Sequence, residues 1–551
     1  MENLRLYTSN RLETLTEKLA EVLDRPLSSP LQSEVVIVQS QGMARWLKLE
    51  LARRNGICAN CSFPFPKIFC AEVLAANSAD PSTRPTLTRE VMLWEIMRLL
   101  PEMLNQPEFG PLKDYLSDPS DIRKRFQLCS QIANLFDQYL VFRPDLILAW
   151  DQGQLNCAGV DEGNHEVWQA TLWRGLRQGK AGQHLAALWK EFGERAAKPD
   201  FKPSNVPERL LIFGISALPP SYLQIFCALG ALAKVHFFLL QPSKEYWGLI
   251  VNARESEKIL KTAKKGDASD QELHLEAGNH LLASMGLLGR DFLNLVLDSG
   301  EWDEDRAFSD PQEGTLLQNV QADIFHLRDR GRDDCPKLSV PRTDTSLLVH
   351  CCHSPLREVE VLYDHLLDWL ERDATLAPRD ELVMTPDIEA YAPFIQAVFD
   401  SPEENDKRIP FSIADRGACA AGHVIDAFLN LLRLPSTRLE ASSVLRILET
   451  DAVRKKFGLA ESDLDMIRVW IRRTNVRWGQ DANHREKLGL PGLAENTWQQ
   501  GIERLFLGYA MAGKGEKMFQ DVLPFDDLEG GSAEVLGHFA EYLKSLLRVF
   551  Q

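Results

Sequence analysis

No apolar run in this chain reaches the length of a membrane span, and the first ~30 residues lack the long apolar segment of a signal peptide. A cytoplasmic protein with no membrane contact is therefore expected. Cysteine is scarce, ten in 551 residues, and sits mostly in apolar contexts such as "QIFCALGAL". That usage fits free thiols in a reducing compartment better than a disulfide framework. A surplus of basic residues is also missing. The net charge of −17 argues against a surface that coats DNA throughout, though it allows a basic groove in an acidic body.

Metal-binding patterns are incomplete. Cys58 and Cys61 have the spacing of half a zinc site, and no second close pair follows at a matching distance. His350, Cys351, Cys352 and His353 would alternate between opposite faces of an extended strand, so the four cannot meet one ion.

The composition, 44% hydrophobic and 26% charged, is that of an ordinary globular protein, and the length predicts three or four domains. "LRLYTS" (4–9) alternates as a strand, and Leu12, Leu15, Leu19 and Leu23 mark a helix over about 10–23. Val35–Val38 is a β-branched run, followed by a short loop and a helix from about Gly42 to Arg54. This β-α-β-α order begins a parallel α/β sheet. Residues 86–142 turn helical. In "SDPSDIRKRFQLCSQIANLFDQYLVFRPD", Asp118 is the expected N-cap, and Ile122, Phe126, Cys129, Ala133, Phe136 and Leu140 form a core-facing stripe. The α/β pattern resumes with "RLLIFGIS" (209–216) and "KVHFFLLQ" (234–241). A second α/β unit is expected from "SLLVHCCHS" and "DELVMTP", with helices from about 421 onward.

The fold class is thus α/β, two parallel-sheet domains each carrying a mainly helical insertion. The boundaries are 1–75 with 206–342 for the first domain, 76–205 for its insertion, 343–430 for the second domain and 431–551 for its insertion. That plan is the plan of a superfamily 1 helicase, which holds ATP between the two α/β domains. A phosphate loop needs glycines followed by Lys and Ser or Thr, so that amides and a cation face the phosphates. After Val38 the chain offers only Gly42, without the Lys-Ser/Thr pair. The strand "LLIFGISALPP" ends in Gly214, Ile215, Ser216 and Ala217, with no carboxylate for Mg²⁺. Gly42, Gly214 and Ser216 mark a degenerate nucleotide site, and no catalytic residue is assigned.

The stretches "QSQGMARWL", "LFDQYLVFRPD", "FGISALPPSYLQ", "NHLLASMGLLGRDF", "CHSPLREVEVLYDHLL" and "YAPFIQAVF" resemble the gamma subunits of exodeoxyribonuclease V, the RecC family of bacterial RecBCD. The family's chains are about twice as long, so the match is to their N-terminal half. The resemblance implies a helicase fold that has lost its ATPase, so that ATP and Mg²⁺ serve the partner subunits and no cofactor is expected in this chain. It implies a heterotrimer with RecB and RecD that repairs double-strand breaks by homologous recombination. The subunit splits duplex DNA, channels the single strands and scans the strand ending 3′ for the hotspot Chi. Carried over by alignment, the Chi-contacting candidates are Gln39, Gln41, Arg45, Phe65, Asn134, Leu135, Asp137 and Arg143. Gln41, Arg45, Phe65, Asn134 and Ala71 depart from the family pattern, which implies a different preferred sequence.

Gln41, Arg45 and Lys48 lie at i, i+4 and i+7 and share one helix face. Taken alone, Arg45 and Lys48 read as a solvated face, Asp137 and Arg143 as a surface ion pair, and Phe65 between prolines as core filling. "IRKRF" and "WIRRTNVRW" mix basic and aromatic residues as strand-binding grooves do. The alternatives are an active ATPase, a structural clamp without sequence reading, and an AddB-type subunit of the analogous AddAB complex.

Overall fold

The structure is a computed structural model. It describes residues 3–548 apart from 30, 79–86, 119–120, 156–164, 178–183, 197, 199–200, 202, 252–277, 332–334, 402–407, 415–422, 512–516, 526 and 529. The chain divides into two compact units, Met1–Leu348 and Val349–Gln551.

The first unit is organised by a sheet whose strands run in the order β3-β2-β4-β5-β1-β6, every pairing parallel. β1 is Leu4–Ser9, β2 Glu34–Ile37, β3 Cys61–Ser62, β4 Arg209–Phe213, β5 Lys234–Leu240 and β6 Asp303–Arg306. Val35 pairs with Leu210 and Ile37 with Ile212, so the two apolar runs read from the sequence are neighbours. All five residues of β4 are buried, as a central parallel strand covered on both faces requires.

The period of two separates the faces. Tyr7, Val36, Val38, Leu211, Phe213 and Phe238 point to one side, under α1 (Leu12–Leu23) and α2 (Gln41–Asn55). Leu6, Ile37, Leu210, Ile212, Val235 and Phe237 point to the other, under α3 (Pro66–Ala76) and later helices. At the rim, Arg209 donates to both carboxylate oxygens of Glu34, a largely buried ion pair. The outer strand β6 is charged and exposed, and Arg5 and Lys18 pair with its Asp303 and Asp305 at 3.3 and 3.1 Å. Charge of this kind blunts an open sheet edge.

Between β3 and β4 the chain builds a helical layer with its own core. It comprises α4 (Arg89–Met103), α5 (Gly110–Tyr115), α6 (Ile122–Phe142), α7 (Pro144–Asp151), α8 (His165–Arg177) and α9 (Leu185–Ala196). In α6 the buried stripe is Cys129, Ile132, Ala133, Phe136 and Leu140, whereas Ile122 and Phe126 are exposed. Its N-cap is Asp121, not Asp118, because the Asp121 carboxylate accepts from the Lys124 amide at 2.9 Å. Pro119 lies outside the described residues. Asp151 ties this layer together, accepting hydrogen bonds from Trp173 and His184 at 2.9 and 2.8 Å and pairing with Arg177 at 2.6 Å. After β4 come α10 (Pro220–Leu229), β5, α11 (His280–Met285), α12 (Leu287–Asp298), β6 and α13 (Leu316–Phe325).

Among the described residues of the second unit the regular elements are helices, apart from an isolated bridge between Phe519 and Val522. α14 (Pro355–Arg372), capped by Ser354, packs with α15 (Ile388–Phe399). A separate helical core follows, built around Trp470, Trp498, Phe539 and Tyr542. The strands expected from "SLLVHCCHS" and "DELVMTP" do not form among the described residues, and Leu347, Val349, Leu382 and Met384 are exposed. The physical reason is the lack of a partner. A parallel strand is stable only with a neighbour to take its N–H and C=O groups, and among the described residues no strand pairs with either segment.

Candidate nucleic-acid interface

In open parallel sheets, ligands bind outside the carboxyl ends of strands where neighbouring connections leave toward opposite faces. Several adjacent pairs satisfy this, β2–β4 and β1–β5 at the centre of the sheet among them. β2 continues into α2 on one face while β4 continues into α10 on the other, and β1 continues into α1 while β5 continues toward α11 and α12.

The ends of β1 and β5 are tied to their surroundings by protein hydrogen bonds. The Gln241 amide donates to the Ser9 carbonyl at 2.8 Å, and Asn10 and Ser309 exchange two hydrogen bonds at 2.8 and 3.0 Å. Arg11 rather than glycine stands at the N-cap of α1. The sequence did not single out Asn10 and Arg11, because a second switch point depends on strand order, which no local pattern reveals.

The β2–β4 crevice contains Gly42, Gly214 and Ser216, the residues read from the sequence as a degenerate nucleotide site. Ser40 caps α2, its Oγ accepting from the Met43 amide at 3.1 Å, and Gly42 sits exposed in the first turn. Gly214 has φ +63°, and its amide donates to the Phe238 carbonyl at 3.0 Å. Only a glycine adopts that backbone without strain. Met43, standing where a phosphate loop would continue with lysine, packs against Gly214, and Ser216 is exposed beyond it. Trp46 leans on Phe213, with centroids 6.3 Å apart.

Three segments carrying the candidate residues are tied together here. The Val38 amide donates to the Pro64 carbonyl at 3.2 Å, fixing the "FPFP" segment to the end of β2. Phe65 is half-buried against the cluster that contains Met43, Trp46 and Phe213, and Pro66 opens α3. Lys67, in the first turn of α3, sets its Nζ 3.3 Å from both carboxylate oxygens of Asp137 on α6. Ser221, at the start of α10, donates to the Val141 carbonyl at 2.6 Å and anchors the end of α6 to the sheet domain. Burial, with smaller contributions from Cys70 and Asp137, raises the Tyr222 hydroxyl well above its ordinary range.

Gln39, Gln41, Arg45 and Arg143 are exposed, and Asn134, Leu135 and Asp137 half-buried. Among the described residues, no ion pair holds Arg45 or Arg143. The Asp137–Arg143 pair read from the sequence does not form, because Lys67 reaches Asp137 from α3 and Arg143 lies past the end of α6 with non-helical backbone. Lys48 lies over the Phe63 ring at 5.1 Å. Sequence reasoning passed over Lys67; the signal was a lone cation directly after the "FPFP" segment. In the second unit, Trp478 of "WIRRTNVRW" is half-buried, with the Arg485 and Arg438 guanidinium groups over its ring at 4.1 and 5.8 Å. The arrangement at the sheet domain offers amides, a carboxylate, a half-exposed aromatic ring and two unpaired guanidinium groups, the chemistry that contacts base edges, base faces and phosphates.

Comparison with known proteins gives the following. A family model described as "RecC, N-terminal domain" matches residues 4–327, and one described as "RecBCD enzyme subunit RecC fourth domain" matches residues 421–551. The chain is 39% identical to the RecBCD enzyme subunit RecC of Escherichia coli K12, over 98% of this chain and 51% of that protein. It is 34% identical to the protein of the same name from Haemophilus influenzae, over 98% and 51%. For that from Mycolicibacterium smegmatis the identity is 32%, over 99% and 49%. The chain spans about half the length of the curated relatives it matches.

Proposed function

Because this chain belongs to the RecC family, we propose that it acts as the non-catalytic subunit of an ATP-dependent helicase and nuclease of the exodeoxyribonuclease V type. In this reading it assembles with RecB and RecD, divides an incoming duplex and leads the single strands apart during double-strand break repair. Its sheet domain is a superfamily 1 motor fold whose nucleotide site has been lost, and the vacated end of the sheet reads the strand ending 3′ for a Chi-type hotspot.

The observation that carries the reading sequence-specifically is the junction of three segments. The loop after β2, the "FPFP" segment and the end of α6 are far apart in the chain and are linked by Val38–Pro64 and Lys67–Asp137. Around them Gln39, Gln41, Arg45 and Arg143 are left free of ion pairs among the described residues. A carboxylate in a DNA groove repels phosphate, and its useful contact there is a hydrogen bond from a base amino group.

The test is co-expression of the subunit with the RecB and RecD of its host, followed by unwinding assays on DNA carrying candidate hotspot sequences. A stable complex that unwinds DNA and changes its product pattern at one sequence supports the reading. A complex that unwinds without responding to any sequence leaves the clamp. Failure of the three chains to associate removes the proposal.

A further inference from the structure

The Lys67–Asp137 contact has a consequence for how a base is selected. Asp137 is the one carboxylate among the candidate reading residues, and Lys67 Nζ stands 3.3 Å from each of its oxygens. Lys67 is 64% exposed at the side chain and Asp137 27%, so the cation lies on the solvent side and the carboxylate below it. A strand approaching from solvent meets Lys67 first.

The attachment of the two residues differs. Asp137 sits on a 21-residue helix whose end is pinned by Ser221 and whose core side is filled by Phe136 and Leu140. Lys67 is on a flexible stem in the first turn of α3, directly after Phe65 and Pro66. An exposed lysine–carboxylate pair is worth less than ~1 kcal/mol, so it breaks when a better partner arrives. A nucleic-acid phosphate is such a partner, and a lysine ammonium has three donors free to reorient toward it.

We propose that Lys67 is a specificity-determining residue that masks Asp137. In the free subunit its ammonium occupies the carboxylate. When single-stranded DNA enters, a backbone phosphate draws Lys67 away, and Asp137 then accepts a hydrogen bond from the exocyclic amino group of a base, cytosine, adenine or guanine but not thymine. Base reading at this position is thereby coupled to phosphate contact, so free nucleobases or an uncharged strand do not engage Asp137. This rests on the assignment of Asp137 to the reading surface and adds the residue that controls it.

The experiment uses the assembled complex and fluorescence anisotropy with labelled single strands, in which one position is changed from cytosine to thymine in turn along the strand. Lys67→Ala, Asp137→Ala and the double variant are compared over a range of salt. Alanine keeps the helix propensity of both sites, and both side chains are on the surface, so folding is preserved. In Lys67→Ala the salt dependence of log affinity should flatten by about 0.7, the loss of one single-strand phosphate contact. With thymine at the position that Asp137 reads, Lys67 returns to Asp137, so in Lys67→Ala, where this competing pair is gone, the preference for cytosine should rise by about threefold, the factor that matches an exposed ion pair. That rise should vanish in the double variant. If Lys67→Ala alters neither the salt slope nor the preference while Asp137→Ala abolishes it, the masking role is overturned and the reading surface stands. If Asp137→Ala leaves every position's preference intact, both the masking role and the reading assignment fall.

Discussion

Met43 packs against Gly214, its Cε 3.2 Å from the point where a Cβ on that glycine would lie. A residue of α2 thus packs at the crevice between β2 and β4, against a position that has no side chain and lies at φ +63°.

Gly214→Ala should therefore be destabilising on two counts, the left-handed backbone and the close approach of Met43. The expected cost is about 1–2 kcal/mol, read as a lower urea midpoint of the transition that reports the sheet domain. An unchanged midpoint would show that Met43 and the backbone relax freely. The same crevice should give no heat of binding with ATP and Mg²⁺ in calorimetry. A micromolar signal from this chain alone would restore the reading of an active ATPase.

The first sheet was legible because its strands are short apolar runs with turn signals at each end, and β4 and β5 announce burial on both faces. The same rule misled for "SLLVHCCHS" and "DELVMTP". Their composition is that of strands, but pairing is a property of the neighbours, and Val349 and Met384 remain exposed without them. At the candidate interface, the loop, the "FPFP" segment and the end of α6 were named by resemblance alone. Their meeting shows in Val38–Pro64 and Lys67–Asp137, contacts across 26 and 70 residues (64 minus 38, 137 minus 67) that no local periodicity encodes.

His236 gives a pH signature of the sheet. It is buried in β5, its Nδ1 3.2 Å from the Tyr7 hydroxyl. Burial, followed by repulsion from Arg5, Arg209 and Lys234, pushes the imidazole from its ordinary 6.5 down to about 4. The unfolded chain takes up this proton near pH 6.5 and the folded chain does not until about pH 4. The neutral histidine thus contributes stability that is complete above about pH 6.5 and lost as pH falls through that window, about 3 kcal/mol in all. His236→Gln should be less stable than the parent at pH 7.5, and the gap should close by about pH 4.5. Parallel curves across that range would mean that His236 is not buried neutral.

Asp151 marks the helical layer in a lower window. Burial pushes its carboxyl up, but hydrogen bonds from His184, Arg177 and Trp173 outweigh this and hold it at about 2. Its stabilisation is present above about pH 4 and is lost as pH falls toward 2, amounting to about 2 kcal/mol. Asp151→Asn should lower the midpoint of the helical layer at neutral pH, followed by the fluorescence of Trp150 and Trp173, which are buried in that core. The difference from the parent should shrink below pH 4. A difference that stays constant to pH 2 would assign the cost to packing rather than to charge.

Arg45 and Phe65 separate phosphate holding from base contact. Arg45 is exposed on α2, one turn past Gln41, and has no ion pair among the described residues. If it holds a phosphate, Arg45→Ala weakens all strands alike and flattens the salt dependence of log affinity by about 0.7. If it reads a guanine, the loss is confined to strands with guanine at one position and is worth about 1–3 kcal/mol there. Phe65→Ala removes a half-exposed ring, so strand affinity should fall by about 1–3 kcal/mol with little sequence preference and an unchanged salt slope, because stacking involves no counterion. Lys48, held over Phe63 on the same helix, supplies the comparison: Lys48→Ala should act through salt alone. An Arg45 variant that keeps full affinity, slope and hotspot response would return α2 to a solvated helix face, and the interface would then begin at Phe65.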